Sequence, residues 1–402
     1  MVEQTVADGS RRALLAGLAL SGFAAGAGSA APKTRAGGSR RGGKVSKAQS
    51  YYAYVGARTT KDRGAHGDGL NVYRVDTAGR WTHLQLLADL VNPSFLAFDR
   101  TGRFLYTVHG DLSEVTALRI DARTGRLERI NQQSTEGKNP VHLVVDPTNK
   151  FLIVANHITS TLAVLPINAD GSLGKLVGLT PLTGKIGPHR VEQPFPKPHQ
   201  AVYDRAGRFI AVPDKGADHT YTYSLDAQGK LTQLGPGAAS REGAGPRRIA
   251  FSPEGGSAYI LNELASSITV CSYDKASGAL TPIQTLSSLP DTFCEDSRAA
   301  EIEISPDGRF VYASNRGHDS IGVFAVEAAG GRLSPVHWQP TFGKTPRFLT
   351  IDPANRFLFA ANEESDTIVT FAVDAGSGRL TRVGDPVNVG SPVCIVLKPI
   401  EA

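Results

Sequence analysis

Between Arg298 and Asp319 the chain alternates apolar and polar residues, reverses, and runs apolar again. Ala300, Ile302 and Ile304 alternate with Glu301 and Glu303, and the run ends at Ser305-Pro306-Asp307-Gly308. Proline presets φ for a turn and glycine takes the positive φ, so the chain can double back. Phe310-Val311-Tyr312-Ala313-Ser314 then carries it to Asn315-Arg316-Gly317. Period-2 runs joined by such a turn predict a β-hairpin.

The hairpin recurs. Its anchor, a proline or alanine opening the first strand, falls at 93, 140, 198, 246, 299, 346 and 392, with spacings of 47, 58, 48, 53, 47 and 46 residues. Between hairpins lies a second unit, an apolar strand followed by an acidic or polar turn with glycine, as in Asn71 to Gly79, Ala117 to Gly125 and Thr370 to Gly378. Four short strands repeated seven times predict an all-β fold, a seven-bladed β-propeller. The last copy, Ser391 to Leu397, is an innermost strand without partners, and Tyr51 to Gly56 is a second strand without its innermost neighbour. Pairing these N- and C-terminal strands in one blade closes the ring and leaves no free edge.

The first 50 residues do not join the pattern. Ser10-Arg11-Arg12-Ala13-Leu14-Leu15 is a twin-arginine signature ahead of an apolar run to about Ala25 and small residues up to Ala31. This predicts a Tat-type signal peptide at 1–31, too short an apolar run for a stable span, and a periplasmic or secreted protein. A basic Gly/Ser-rich tether follows at 32–50, and the propeller occupies 51–402. Eight Lys/Arg against two Asp/Glu give residues 1–50 a net +6, compared with +5 for the whole chain, which leaves −1 for the body. The basic pI therefore belongs to the leader and implies no nucleic-acid partner. Cys271, Cys294 and Cys394 are too few and scattered for a disulfide framework, and no CxxC or His/Cys cluster suggests zinc. A monomer or weak oligomer is expected.

In a propeller the innermost strands surround an axial channel, with substrate sites at one mouth. Directly after the anchors stand Ser94, Val141, His199, Arg247, Ala300, Arg347 and Val393. At the far end of the second strand stand Gly110, His157, Lys215, Glu263, Arg316 and Glu363. The residues just before these, Asn156, Asn262, Asn315 and Asn362 with Asp214 and His109, read as turn caps. The charged positions would converge on one wide mouth with cations in excess, suited to an anionic small molecule, because arginine offers a bidentate fork to a carboxylate or phosphate. A carboxylate beside guanidiniums is a candidate acid/base, and the cations can stabilise an oxyanion. There is no GxSxG, P-loop or dinucleotide fingerprint, which argues against a covalent serine hydrolase. The inner positions lack the clustered Asp/Glu of a hard-metal site, so neither metal nor cofactor is expected.

Gly245-Pro246-Arg247, Asn262-Glu263-Leu264, Ala299-Ala300-Glu301-Ile302 and Ser314-Asn315-Arg316-Gly317-His318-Asp319-Ser320-Ile321 resemble the seven-bladed lactonase family. That family includes propeller-type 6-phosphogluconolactonases and the fungal carboxymuconate cyclase, and the resemblance runs over essentially all of 51–399. It implies a metal-independent lactone hydrolase, or a lactonising cycloisomerase, acting on an anionic sugar or muconate-type lactone. The cyclase's catalytic set would fall on His199, Arg247, Glu263 and Arg316, with Glu263 as acid/base and His199 assisting. Arg347, Lys215, Glu363 and His157 would contact substrate. This chain departs from the family at Lys197, Arg248 and Glu303, where relatives commonly carry histidine. The alternative is a non-catalytic exported propeller that binds a ligand or protein partner at the same mouth.

Replacing Arg11 and Arg12 with lysine is expected to retain folded protein in the cytoplasm, read by cell fractionation; an unchanged exported yield removes the targeting assignment.

Overall fold

Each innermost hairpin closes on a polar side chain at the start of its turn. The carboxylates of Asp99, Asp146, Asp204 and Asp352, and the Ser305 hydroxyl, accept backbone N–H groups four and five residues on, at Arg103 and Phe104 in the first case. The fourth residue of the turn takes positive φ, as at Gly102, Asn149, Gly308 and Asn355. These side chains satisfy amides that a tight reversal would otherwise strand.

The computed structural model describes residues 49–401, and these form 28 strands in seven four-stranded antiparallel sheets. The expected signal at 1–31, and the tether at 32–50 up to residue 48, lie outside the described residues. No helix among the described residues is long and apolar enough to cross a membrane.

The terminal blade is shared as the half repeats imply. Pro392–Pro399 is its innermost strand and pairs antiparallel with Tyr51–Ala57, which pairs in turn with Leu70–Val75 and through it Trp81–Leu87. Register places Tyr54 opposite Val396 and Val55 opposite Ile395. The innermost strand Pro392–Pro399 also packs against those of the first and last internal blades, Pro93–Phe98 and Pro346–Ile351, which closes the ring.

Neighbouring blades lock through one repeated contact. The outer-turn glycines Gly79, Gly125, Gly171, Gly229, Gly278 and Gly378 all have positive φ, and a Cβ on any of them would press on an aromatic ring of the preceding blade. Those rings are Phe357, Tyr52, Phe104, Phe151, Phe209 and Phe310 respectively. In the remaining blade Gly331 meets Ser257 instead. Tyrosine hydroxyls reinforce three of these contacts by donating to the same glycine carbonyls: Tyr54 to Gly125 at 3.0 Å, Tyr106 to Gly171 at 3.0 Å and Tyr312 to Gly378 at 3.2 Å.

One innermost strand is irregular. In the blade anchored at Pro198 only Val202–Tyr203 is regular, preceded by a lone bridge between Pro198 and Asp214. Pro194, Pro196 and Pro198 lack the amide donors a strand needs, and here the repeat lengthens to 58 residues.

Deleting Ser391 to Ala402 removes the innermost strand of the shared blade and bares the edges beside it. The truncated chain is expected to aggregate or to melt roughly 5 °C or more below the parent. Unaltered melting in a calorimeter would show that closure contributes nothing.

Candidate active site at the channel mouth

The side chains facing the channel are put there by β-bulges. Pairing with the second strand skips Ser94, Val141, Arg247 and Arg347, skips Ala300 with Glu301, and skips Val393 in the shared blade. A bulge re-aims the extra residue out of the sheet's alternation, so the position after each anchor points to the axis. The ring from the second strands is placed with equal regularity. The amides of Gly110, His157, Lys215, Glu263 and Glu363 each donate to the carbonyl of the residue just before the anchor, and Arg316 pairs with Arg298 in the same place. The preceding Asn156 and Asn262 are turn caps, bonding Thr161 Oγ1 at 3.0 Å and Ser267 Oγ at 3.1 Å.

His157, His199, Lys215, Glu263, Arg316 and Arg347 line one cavity of about 260 Å³. Glu263 is its buried centre. Its carboxylate accepts a hydrogen bond from Lys215 Nζ at 3.1 Å and is ion-paired with Arg247, Nε at 2.9 Å, and Arg316, Nη2 at 3.2 Å. Burial pushes this carboxyl up, but Arg316, Lys215 and Arg247 overcome it and hold it well below the ordinary carboxylate range. Arg247 lies deeper, 2% exposed, and also donates to the Ala300 carbonyl. Burial, Arg247 and His157 push His199 well below the usual imidazole range, and burial with Lys215 brings His157 to about 3. Both rings are therefore neutral near pH 7, and they meet edge to face at 5.1 Å. Glu363, expected in this cluster, instead lines an adjoining basin of about 290 Å³, where Arg347 Nη1 lies 3.3 Å from its Oε2.

Several mouth residues were not anticipated. Arg58 is the seventh member of the second-strand ring: its amide donates to Ser391 O, the residue before the last anchor. Carrying the repeat into the N-terminal strand would have found it. Gly110 has a clear purpose, because a Cβ there would collide with Arg58 Nη1 and approach Ser94 Oγ at 2.8 Å. Arg63 follows from the same loop and pairs with Asp111, as Arg58 does at 3.4 Å. Glu192, from the long segment before Pro198, reaches over to Lys215 Nζ at 2.9 Å and Arg298 Nη1 at 2.6 Å. Burial raises its carboxyl, yet Lys215 and Arg298 bring it down to about 2.

Below the mouth is a second layer. Arg248 lies over the Phe95 ring at 4.8 Å, with Nε 3.2 Å from Glu301 Oε2, and His142 packs on Phe95 at 4.0 Å. Glu303 is pushed up to about 8 by burial and Glu301. Lys197 Nζ sits 4.9 Å over Phe195, beside the mouth. A larger hollow, about 580 Å³, opens by the turns at Gly308 and Gly331, but Glu254, Arg309 and Glu327 are its only charged lining residues among those described. Converging buried charge makes the mouth the candidate site.

The family described as "Lactonase, 7-bladed beta-propeller" matches residues 52–397. A 6-phosphogluconolactonase of Bacillus subtilis (strain 168) is 37% identical over 300 residues, covering 74% of this chain and 84% of its own. One from Formosa agariphila is 32% identical over 314 residues, covering 74% and 85%. Among solved structures, a periplasmic gluconolactonase of Pseudomonas aeruginosa superposes with a TM-score of 0.80 at 30% identity, covering 88% of this chain and 99% of that one.

Proposed function

The chain belongs to the seven-bladed β-propeller lactonase family, and from that membership we propose that it hydrolyses an anionic sugar or muconate-type lactone at the channel mouth. The reading is that of a metal-independent, 6-phosphogluconolactonase-like lactone hydrolase working outside the cytoplasm. One observation carries it: an ionised carboxylate, Glu263, held by Arg247, Lys215 and Arg316 beside the neutral imidazole of His199 in one cavity. The five cations lining that cavity, Arg58, Arg63, Lys215, Arg316 and Arg347, face a single lining carboxylate. Such a surplus selects a ligand carrying negative charge. The twin-arginine leader supports export, in keeping with the periplasmic neighbour from Pseudomonas aeruginosa.

In the mechanism that follows, the lactone's anionic group engages Arg316 and Arg347, with Lys215 and His157 at its flank. Water attacks the ring carbonyl. Glu263 accepts the water proton, the carbonyl oxygen becomes an oxyanion held by Arg247, and collapse breaks the ring C–O bond. The proton passes to the departing alkoxide, with His199 positioning or relaying it. Free Glu263 is a weak base because three cations stabilise its charge. A bound anion takes up part of that cationic field, which raises the carboxylate's basicity. Substrate charge thus serves both binding and activation. Glu363 keeps Arg347 aimed at the mouth from the adjoining basin.

Glu263→Gln preserves shape but cannot take up a proton. It is expected to lower kcat by roughly 10²–10⁴ while the affinity for the anionic lactone holds or tightens, because a negative charge competing for the same cations is removed. Arg316→Ala is expected to weaken that affinity by about 2–5 kcal/mol. Both are read by steady-state kinetics on a lactone panel with chelator present. Full turnover by Glu263→Gln sinks this mechanism, and the absence of any turnover by the parent favours the binding-only propeller.

The pH profile has a definite sign. The base works deprotonated, and in the free enzyme its carboxyl is held below its ordinary 4.5. The acid limb of kcat/KM is therefore expected below pH 4.5 rather than near neutrality. A limb above pH 4.5 would show that the base is not the cation-held Glu263.

A further inference from the structure

We propose that the floor of the axial cavity is a binding site for a monatomic anion of the chloride class, beneath the lactone cavity and sharing Arg58, His199 and Arg347 with it. Beneath the mouth is a void of about 10 Å³ lined by Arg58, Arg247, Arg248 and Arg347 together with Ser94 and His199. No carboxylate among the described residues lines it. The carboxylates that pair these guanidiniums are not in the lining: Asp111 holds Arg58, Glu263 holds Arg247, Glu301 holds Arg248 and Glu363 holds Arg347. Four cations thus face one small space across a low-dielectric interior, where their repulsion is poorly screened.

Three groups at this space have unmet hydrogen-bonding capacity. Arg248 Nη1, His199 Nδ1 and Ser94 Oγ have no hydrogen-bond partner among the described residues, and all three residues are more than nine-tenths buried. Buried donors left unpaired cost free energy, so such a cluster calls for an acceptor. The volume admits about one water-sized particle. A water there could donate to Ser94 Oγ and His199 Nδ1, but it brings no negative charge to the four guanidiniums. A halide accepts from every side and needs no donor. A carboxylate or phosphate is too large for the void and belongs in the cavity above. Burial and Arg347 push Arg58 down to about 10, which reflects the same shortage of negative charge.

The bound ion would hold the inner ends of five blades together and fix arginines that the mouth uses. This does not rest on the lactonase reading, and its test reads binding and stability rather than turnover. Bromide-soaked crystals of the full chain are expected to show an anomalous peak within hydrogen-bonding distance of Arg248 Nη1 and Ser94 Oγ. In parallel, replacing acetate by chloride or bromide at constant ionic strength is expected to raise the melting temperature by roughly 2–4 °C between about 1 and about 300 mM. Ser94→Ala should raise the half-saturating halide concentration several-fold. Ser94→Asp, which puts a tethered carboxylate in the void, should abolish the halide response. No bromide peak, an equal rise in acetate, or an undiminished response in Ser94→Asp overturns the proposal. The bromide map uses the parent protein, so it decides even where Ser94→Asp does not fold.

Discussion

The mouth depends on one buried carboxylate. Glu263 meets Arg247 from its own blade, Lys215 from the blade before and Arg316 from the blade after. Three adjacent blades therefore share a single negative charge. Breaking such a pair leaves uncompensated buried charge, at about 3–5 kcal/mol. Here the loss would leave three cations repelling one another in a desolvated space. The same contacts that hold the blades in register at their inner ends also set the protonation state of the group proposed to do the chemistry. Fold and site are one electrostatic structure at this point.

Most of that architecture was legible in the sequence, because the repeat carries it. A proline or alanine anchor, a tight turn with Gly or Asn, and an outer-turn glycine recur in every blade, and each has a local physical cause. The position after each anchor was readable as axial for the same reason: the bulge recurs with the repeat, so Arg247 and Arg347 could be aligned with Ser94 and Val141 before any coordinates. Even the shared blade announced itself, through half repeats at Tyr51 and Pro392. Arg58 belonged to this legible set and escaped only because its blade is split between the termini.

What was not legible has no counterpart in the repeat. Glu192 lies in the segment that stretches one spacing to 58 residues, so alignment says nothing of where its side chain goes. Its reach to Lys215 and Arg298 depends on the proline-rich path from Gln193 to Pro198. The pairing scheme was equally hidden. Sequence placed Glu263 and Glu363 in equivalent positions, yet one is the hub of three cations and the other partners Arg347 in a neighbouring basin. Equivalent backbone positions leave that choice to the side chains around them.

The departures from the family's histidines find a physical meaning in the second layer. Arg248 and Glu301 form a buried ion pair with Phe95 and His142 packed around it. A histidine in the same surroundings would be driven neutral, as His142 and His199 are, whereas a guanidinium ion-paired with Glu301 adds a cation to the floor of the channel. Arg58, Arg247 and Arg347 line that floor with it, and all four face a space without a lining carboxylate among the described residues. The proposed base, Glu263, is held ionised by cations of the same cluster. A ligand's negative charge therefore changes the field at Glu263 when it arrives.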